Sequence, residues 1–146
     1  MNYTREDFIR GIALYGGLDT KRITYLSFLV QYSIYNIGPI NIAIKYTHDG
    51  QPITRNRFYI GYNSVIEMEY IPEPLDMIGP NNLPPNIKNR IVKIWYKHIT
   101  KNTWQLAHLI RKKLRLEPVE KWRDYTGMDI DHYLHVEKFK IIKKEI

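Results

Sequence analysis

Phe8, Ile9, Ile12, Ala13 and Tyr15 recur at helical spacing, and Thr4 with Asp7 three residues on has the form of a capping box. Gly16-Gly17 stops that helix. A second helix is predicted from Asp19 or Thr20, carrying Ile23, Leu26, Phe28, Leu29, Val30 and Tyr32. That apolar stripe is wide enough to bury the helix on nearly all sides. Two helices joined by Gly-Gly-Leu have the outline of a helix-turn-helix. Beyond Gly38-Pro39 the period changes to two: Ile40, Ile42, Ile44 and Tyr46 alternate with Asn41, Ala43 and Lys45, the mark of a half-buried strand. His48-Asp49-Gly50 supplies turn chemistry, and the run from Ile53 towards Tyr62 is its predicted hairpin partner. Val65 to Ile71 fits either a strand or one helical turn.

Prolines and glycines then crowd together (Pro72, Pro74, Gly79-Pro80, Pro84-Pro85) and mark a connector over residues 72–86. Helical spacing returns after it. Ile87, Ile91, Ile94, Trp95 and Ile99 share one side, with Arg90, Lys93, Lys97 and Lys101 along another. Asn102 with Gln105 predicts the next cap, and Trp104, Ala107, Ile110 and Leu114 the inner face of a helix whose tail is basic, from Arg111 to Arg115. Pro118 ends it, and a short turn around Trp122 precedes a last helix from Asp129 to about Lys138. The predicted fold is therefore α+β, one mostly helical domain over 1–146. A small antiparallel hairpin or wing lies between two N-terminal helices (with the hairpin, 1–71) and three C-terminal ones (87–146).

Composition narrows the chemistry more than the fold. A chain of 146 residues with 44% hydrophobic and 25% charged positions lies inside the globular range and is long enough for an apolar core. It has no cysteine, which removes disulfides, thiolate metal sites and cysteine nucleophiles. The first residues are acidic where a signal peptide is basic and then apolar, and the stretch Ile23 to Ile37 is too short and too interrupted to span a bilayer, so a soluble cytoplasmic protein is expected. Abundant Ile, Lys, Asn and Tyr share A/T-rich codons, which suits an archaeal, viral or other mobile-element source and equally many bacteria.

The formal charge of +7 is unevenly placed. Residues 1–80 hold seven Lys+Arg against eight Asp+Glu, a net −1, and residues 81–146 hold fifteen against seven, a net +8. Such asymmetry assigns the second half to an acidic protein partner or to nucleic acid. The candidate contact residues are Arg90, Lys93, Lys97, Lys101, Arg111, Lys112 and Arg115, joined by Arg55 and Arg57 on the hairpin. The competing reading is a solvated helix face. A homodimer is also compatible with the pattern.

Catalytic signatures are weak. Serine stands only at 27, 33 and 64, never in a nucleophile elbow, and there is no Gly-rich phosphate loop, so neither an enzyme nor a cofactor is expected. Asp129, Asp131, His132 and His135 have spacings that can point at one metal ion, but Asp at a helix start is equally a cap. Glu67, Glu69 and Glu73 alternate in the manner of a solvated edge. A winged-helix DNA reader is the alternative function, although the apolar second helix has few positions for base-edge donors.

The segments Lys21 to Leu26 (Lys-Arg-Ile-Thr-Tyr-Leu), Gly50 to Thr54 (Gly-Gln-Pro-Ile-Thr) and Phe58 to Val65 (Phe-Tyr-Ile-Gly-Tyr-Asn-Ser-Val) together resemble the Panacea domain of SocA-like antitoxins and phage-associated proteins. That family shows a Lys-Leu-x-Tyr-Leu helix, a Gly-x-Pro-Leu-Thr turn and a Phe-x-Ala-x-x-Tyr-Gly-Pro-Val segment. His108 and Trp122 are loosely similar to its C-terminal His and Trp. Asn63-Ser64-Val65 departs from its Gly-Pro-Val. The resemblance implies a non-catalytic regulatory protein that binds another protein, with Tyr25, Gly50, Pro52, Phe58 and Tyr62 in structural roles.

Overall fold

The structure is a computed structural model that describes residues 5–33, 38–39, 46–48, 51–53 and 57–136. Two helices open it, α1 (Arg5–Gly16) and α2 (Thr20–Gln31). Gly17 ends α1 with φ +80°, a left-handed conformation, and its N–H returns to the Ala13 carbonyl. Asp19 caps α2 by accepting from the Arg22 N–H at 3.0 Å. From Ile23 to Gln31 every residue of α2 is buried, so the width of its apolar stripe foretold its position at the centre. It packs against α1, α3 (Pro85–Lys97) and α4 (Thr103–Lys113).

The described strands form three antiparallel pairs. β1 (Tyr32–Ser33) pairs with β2 (Gly38–Pro39), and β3 (Tyr46–His48) with β4 (Gln51–Ile53), His48 opposite Gln51 as the Asp-Gly turn signal requires. Of the predicted strand from Ile40 to Tyr46, Tyr46 is seen in β3 and residues 40–45 lie outside the described residues, as does Thr4 of the first capping box. Among the described residues, Gln51–Ile53 answers β3, and the far part of the predicted run from Ile53 to Tyr62 pairs elsewhere. β5 (Phe58–Ile60) instead pairs with β6 (Ile66–Met68), which settles the ambiguous 65–71 segment as a strand. The reason is local. Phe58, Ile60, Ile66 and Met68 alternate buried with less buried neighbours, so this pair has its own core face. Its connection is tight: the Gly61 N–H donates to the Val65 carbonyl, and a Cβ on Gly61 would lie 2.2 Å from the Ser64 carbonyl oxygen.

An aromatic trio joins this pair to α2. Phe28 stacks on Tyr32 at 4.7 Å between ring centres, and Phe58 meets both edge-on. The connector is not a free linker. Its 3-10 helix (Pro74–Met77) buries Met77, Leu83 is also buried, Arg10 Nε donates to the Asp76 carbonyl at 2.7 Å, and a Cβ on Gly11 of α1 would collide with Leu83. One continuous core thus runs through both sequence halves, from Phe8 to Leu134.

After α4 come a cis Glu117-Pro118 bond, the short α5 (Val119–Tyr125) and a helical stretch over residues 130–136. Tyr133 in that stretch is fully buried and its hydroxyl donates to the Leu114 carbonyl, while Tyr32 donates to Asp131 at 2.7 Å. The chain is mostly helical with small antiparallel strand pairs between N- and C-terminal helices, as the pattern predicts.

Candidate anionic-partner interface

The basic surface begins with α3. Ile87, Ile91 and Ile94 are buried, which turns Lys93 and Lys97, four residues apart on one arc, out to solvent. Ile99 was expected on the inner side but is 47% exposed, because α3 ends at Lys97 and the helical period does not extend to it. In α4 the capping box is present, with Asn102 accepting from the Gln105 N–H and Gln105 from the Asn102 N–H, both at 2.8 Å. Its buried stripe is Leu106, Ile110 and Leu114. Trp104 was expected on that stripe and is instead 73% exposed, since it precedes Leu106 by two residues, about 200° around a helix. Lys112 and Arg115 are exposed at the C-terminal end of α4, Arg115 with φ 57°.

The other predicted contact residues are placed differently. Arg90 turns inward and donates to the Leu29 and Val30 carbonyls at 3.2 and 3.4 Å, satisfying the C-terminal end of α2. Burial lowers its pKa from the ordinary arginine value. Arg111 lies over the Trp122 ring at 5.4 Å and its Nε donates to the Leu116 carbonyl at 3.4 Å. Lys101 is half-buried, and its carbonyl accepts from Arg22 of α2 at 2.7 Å. Arg57 is exposed beside β5, and Arg55 lies outside the described residues. Five of the predicted residues are therefore exposed: Lys93 and Lys97 on α3, Lys112 on α4, Arg115 just past its end, and Arg57 beside β5.

The charge of the whole region is one-sided. From Met77 to Leu116 there are nine Lys+Arg and not one Asp or Glu. The exposed lysines of α3 and α4 thus have no carboxylate on their own helices for intrahelical pairs, which weakens the solvated-face reading. His98 records the same field. It closes α3, is 3% exposed, and its Nδ1 has no hydrogen-bond partner among the described residues. Burial first, then Lys101, Lys97 and Arg22, pushes its pKa down to about 4.

The remaining candidates are structural. Asp129 accepts from the Asp131 and His132 N–H groups as a helix cap, Asp131 holds Tyr32, and His132 and His135 face solvent. Among the described residues no group of three or more His, Asp or Glu is arranged to hold a metal ion. Glu67 and Glu69 are exposed on β6 and just after it. Beyond Arg22, α2 has no free face to lay in a DNA groove. No described helix is long and apolar enough to cross a membrane. No family model, curated protein sequence or solved structure matches the chain.

Proposed function

We propose that this chain is a non-enzymatic, antitoxin-like regulatory binding protein that meets an acidic protein or a nucleic acid through the exposed cations of α3 and α4. The observation that carries the reading is the acid-free stretch from Met77 to Leu116, with Lys93, Lys97 and Lys112 open to solvent on core-packed helices and Arg115 just past the end of the second. A positive field of this kind speeds encounter with anionic partners and holds them in register. The buried course of α2 supports a scaffold role for the N-terminal helix pair, leaving recognition to the second half.

The test is fluorescence anisotropy of a labelled DNA duplex and of a labelled acidic polypeptide. At least one is expected to bind at low salt, to weaken as salt rises, and to be lost with Lys93→Glu combined with Lys97→Glu. Failure to bind either probe, or binding indifferent to the double charge reversal, would refute the reading.

A further inference from the structure

Between α2, the β5–β6 turn, α4 and α5 lies a cleft of about 350 Å³. That is at the lower end of the roughly 300–1,000 Å³ typical of small-ligand sites. Its lining joins three kinds of group. Trp104 provides a large aromatic surface, one side stacked on His108 at 5.7 Å and 11° and the side chain as a whole 73% exposed. Lys21 of α2 and Arg111 of α4 provide positive charge, and Asn63 and Ser64 of the turn provide polar groups. Among the described residues no carboxylate lines the cleft.

The cleft is built rather than incidental. The Tyr25 hydroxyl, buried beneath it, hydrogen-bonds with the Val65 backbone and the Ser64 side chain. Trp122 Nε1 donates to the Gly61 carbonyl at 2.8 Å and so ties α5 to the first residue of the same turn. Arg111 is oriented by the Trp122 ring and the Leu116 carbonyl, and its terminal nitrogens have no partner among the described residues. Lys21 is exposed and likewise has no ion pair among the described residues. The cations are thus held at the cleft with no ion pair among the described residues, beside an exposed indole; the charge of Asp19 reaches Tyr25 beneath them without pairing with either cation.

A flat aromatic surface next to uncompensated cations matches one small chemistry well: a planar heteroaromatic ring carrying phosphate. We propose that the cleft binds a nucleotide, its base stacked on Trp104 and its phosphate between Lys21 and Arg111. Stacking of this kind accepts any base, because each has a π-face, while Asn63 and Ser64 are placed to meet polar base edges. Thr103, in the first turn of α4, also lines the cleft, and the helix dipole there adds to the attraction for an anion. The nucleotide can be free or part of a single strand. This inference stands on residues other than the α3 lysines, and so does not depend on the partner reading above.

Isothermal titration calorimetry on the full chain tests it, with adenosine monophosphate and a short single-stranded oligonucleotide as probes. Binding of the mononucleotide, weakened about ten-fold or more by Trp104→Ala and restored to within a few-fold by Trp104→Phe, is the expected result. Lys21→Glu should weaken it as well, whereas Lys93→Glu with Lys97→Glu should leave it unchanged. Much tighter binding of the oligonucleotide through the same Trp104 dependence assigns the site to a strand; equal binding assigns it to a free nucleotide. The proposal is overturned if neither probe binds, if Trp104→Ala leaves affinity unchanged, if an acidic peptide binds the cleft in place of both, or if the α3 reversal abolishes mononucleotide binding. Trp104 is a surface residue, so circular dichroism of its variants should match the parent and keep the result interpretable.

Discussion

α2 and α4 are nearly the same length, both begin with an Asx cap, and they pack side by side, yet they do opposite work. Nine consecutive residues of α2 are buried; in α4 only Leu106 and Ile110 are. A helix wrapped on every side has no surface left for recognition, and its sequence is dictated by packing. A helix with one buried stripe keeps the rest of its circumference for charge and aromatic rings, which is where Trp104, His108, Lys112 and the cleft lie. Resemblance of the N-terminal pair to a helix-turn-helix is therefore misleading in functional terms, because the helix that would read DNA is the one the core has consumed.

The contrast can be broken most forcefully at its buried side. Leu26→Ala in α2 should cost about 2–5 kcal/mol in urea denaturation, since Leu26 is 2% exposed and the cavity has little means of collapse. Trp104→Ala in α4, larger in side-chain volume lost, should change stability by less than about 0.5 kcal/mol. Comparable losses at the two sites would remove the distinction.

Next in size is a pH effect at the junction of the two regions. His98 titrates near 6.5 when unfolded and at about 4 when folded, so the unfolded chain takes up the proton first as pH falls. Stability from this group is complete above pH 6.5 and is lost between 6.5 and 4, amounting to about 3 kcal/mol over that window. Denaturation midpoints measured across it should decline, and His98→Leu should flatten the decline.

Smaller again is the capping box: Asn102→Ala should cost about 1 kcal/mol, read as a lower thermal midpoint. Smallest is the exposed charge on α3. Lys93→Glu with Lys97→Glu should move stability by no more than about 0.5 kcal/mol for each residue while changing partner binding most of all, which is the signature of a surface kept for function.

Sequence pattern made the helices legible wherever burial is periodic, with Asp19 and the Asn102–Gln105 box marking two starts and Gly17 a stop. It misplaced Trp104 and Ile99 because a large apolar side chain counts toward a stripe regardless of the phase of its helix, and α3 and α4 change phase at His98. It placed the hairpin at Tyr46 to Ile53 but carried its second strand too far, because Phe58 and Ile60 have a core face that matches Ile66 and Met68 just beyond them. The basic surface was legible as charge but not as geometry. Nothing in the spacing of Arg90 distinguishes it from Lys93, and only the nearby end of α2 draws one inward while the other stays in water. The cleft escaped notice altogether, since Lys21, Ser64, Trp104 and Trp122 are far apart in the chain and meet only through folding.

The inward turn of Arg90 bears on how the chain can be divided. With Arg90 at one end of α2 and Arg22 reaching the Lys101 carbonyl near the other, the two halves of opposite charge character are cross-braced at both ends of the central helix. A chain severed in the 79–80 loop would yield two fragments, each exposing its side of the shared core, and neither would persist alone. Mixed together they have the means to recombine, and co-expressed fragments labelled at their cut ends would report that reunion. For the same reason recombination between genes is not free to exchange the basic half as a cassette: any replacement must arrive with its own arginine for the end of α2.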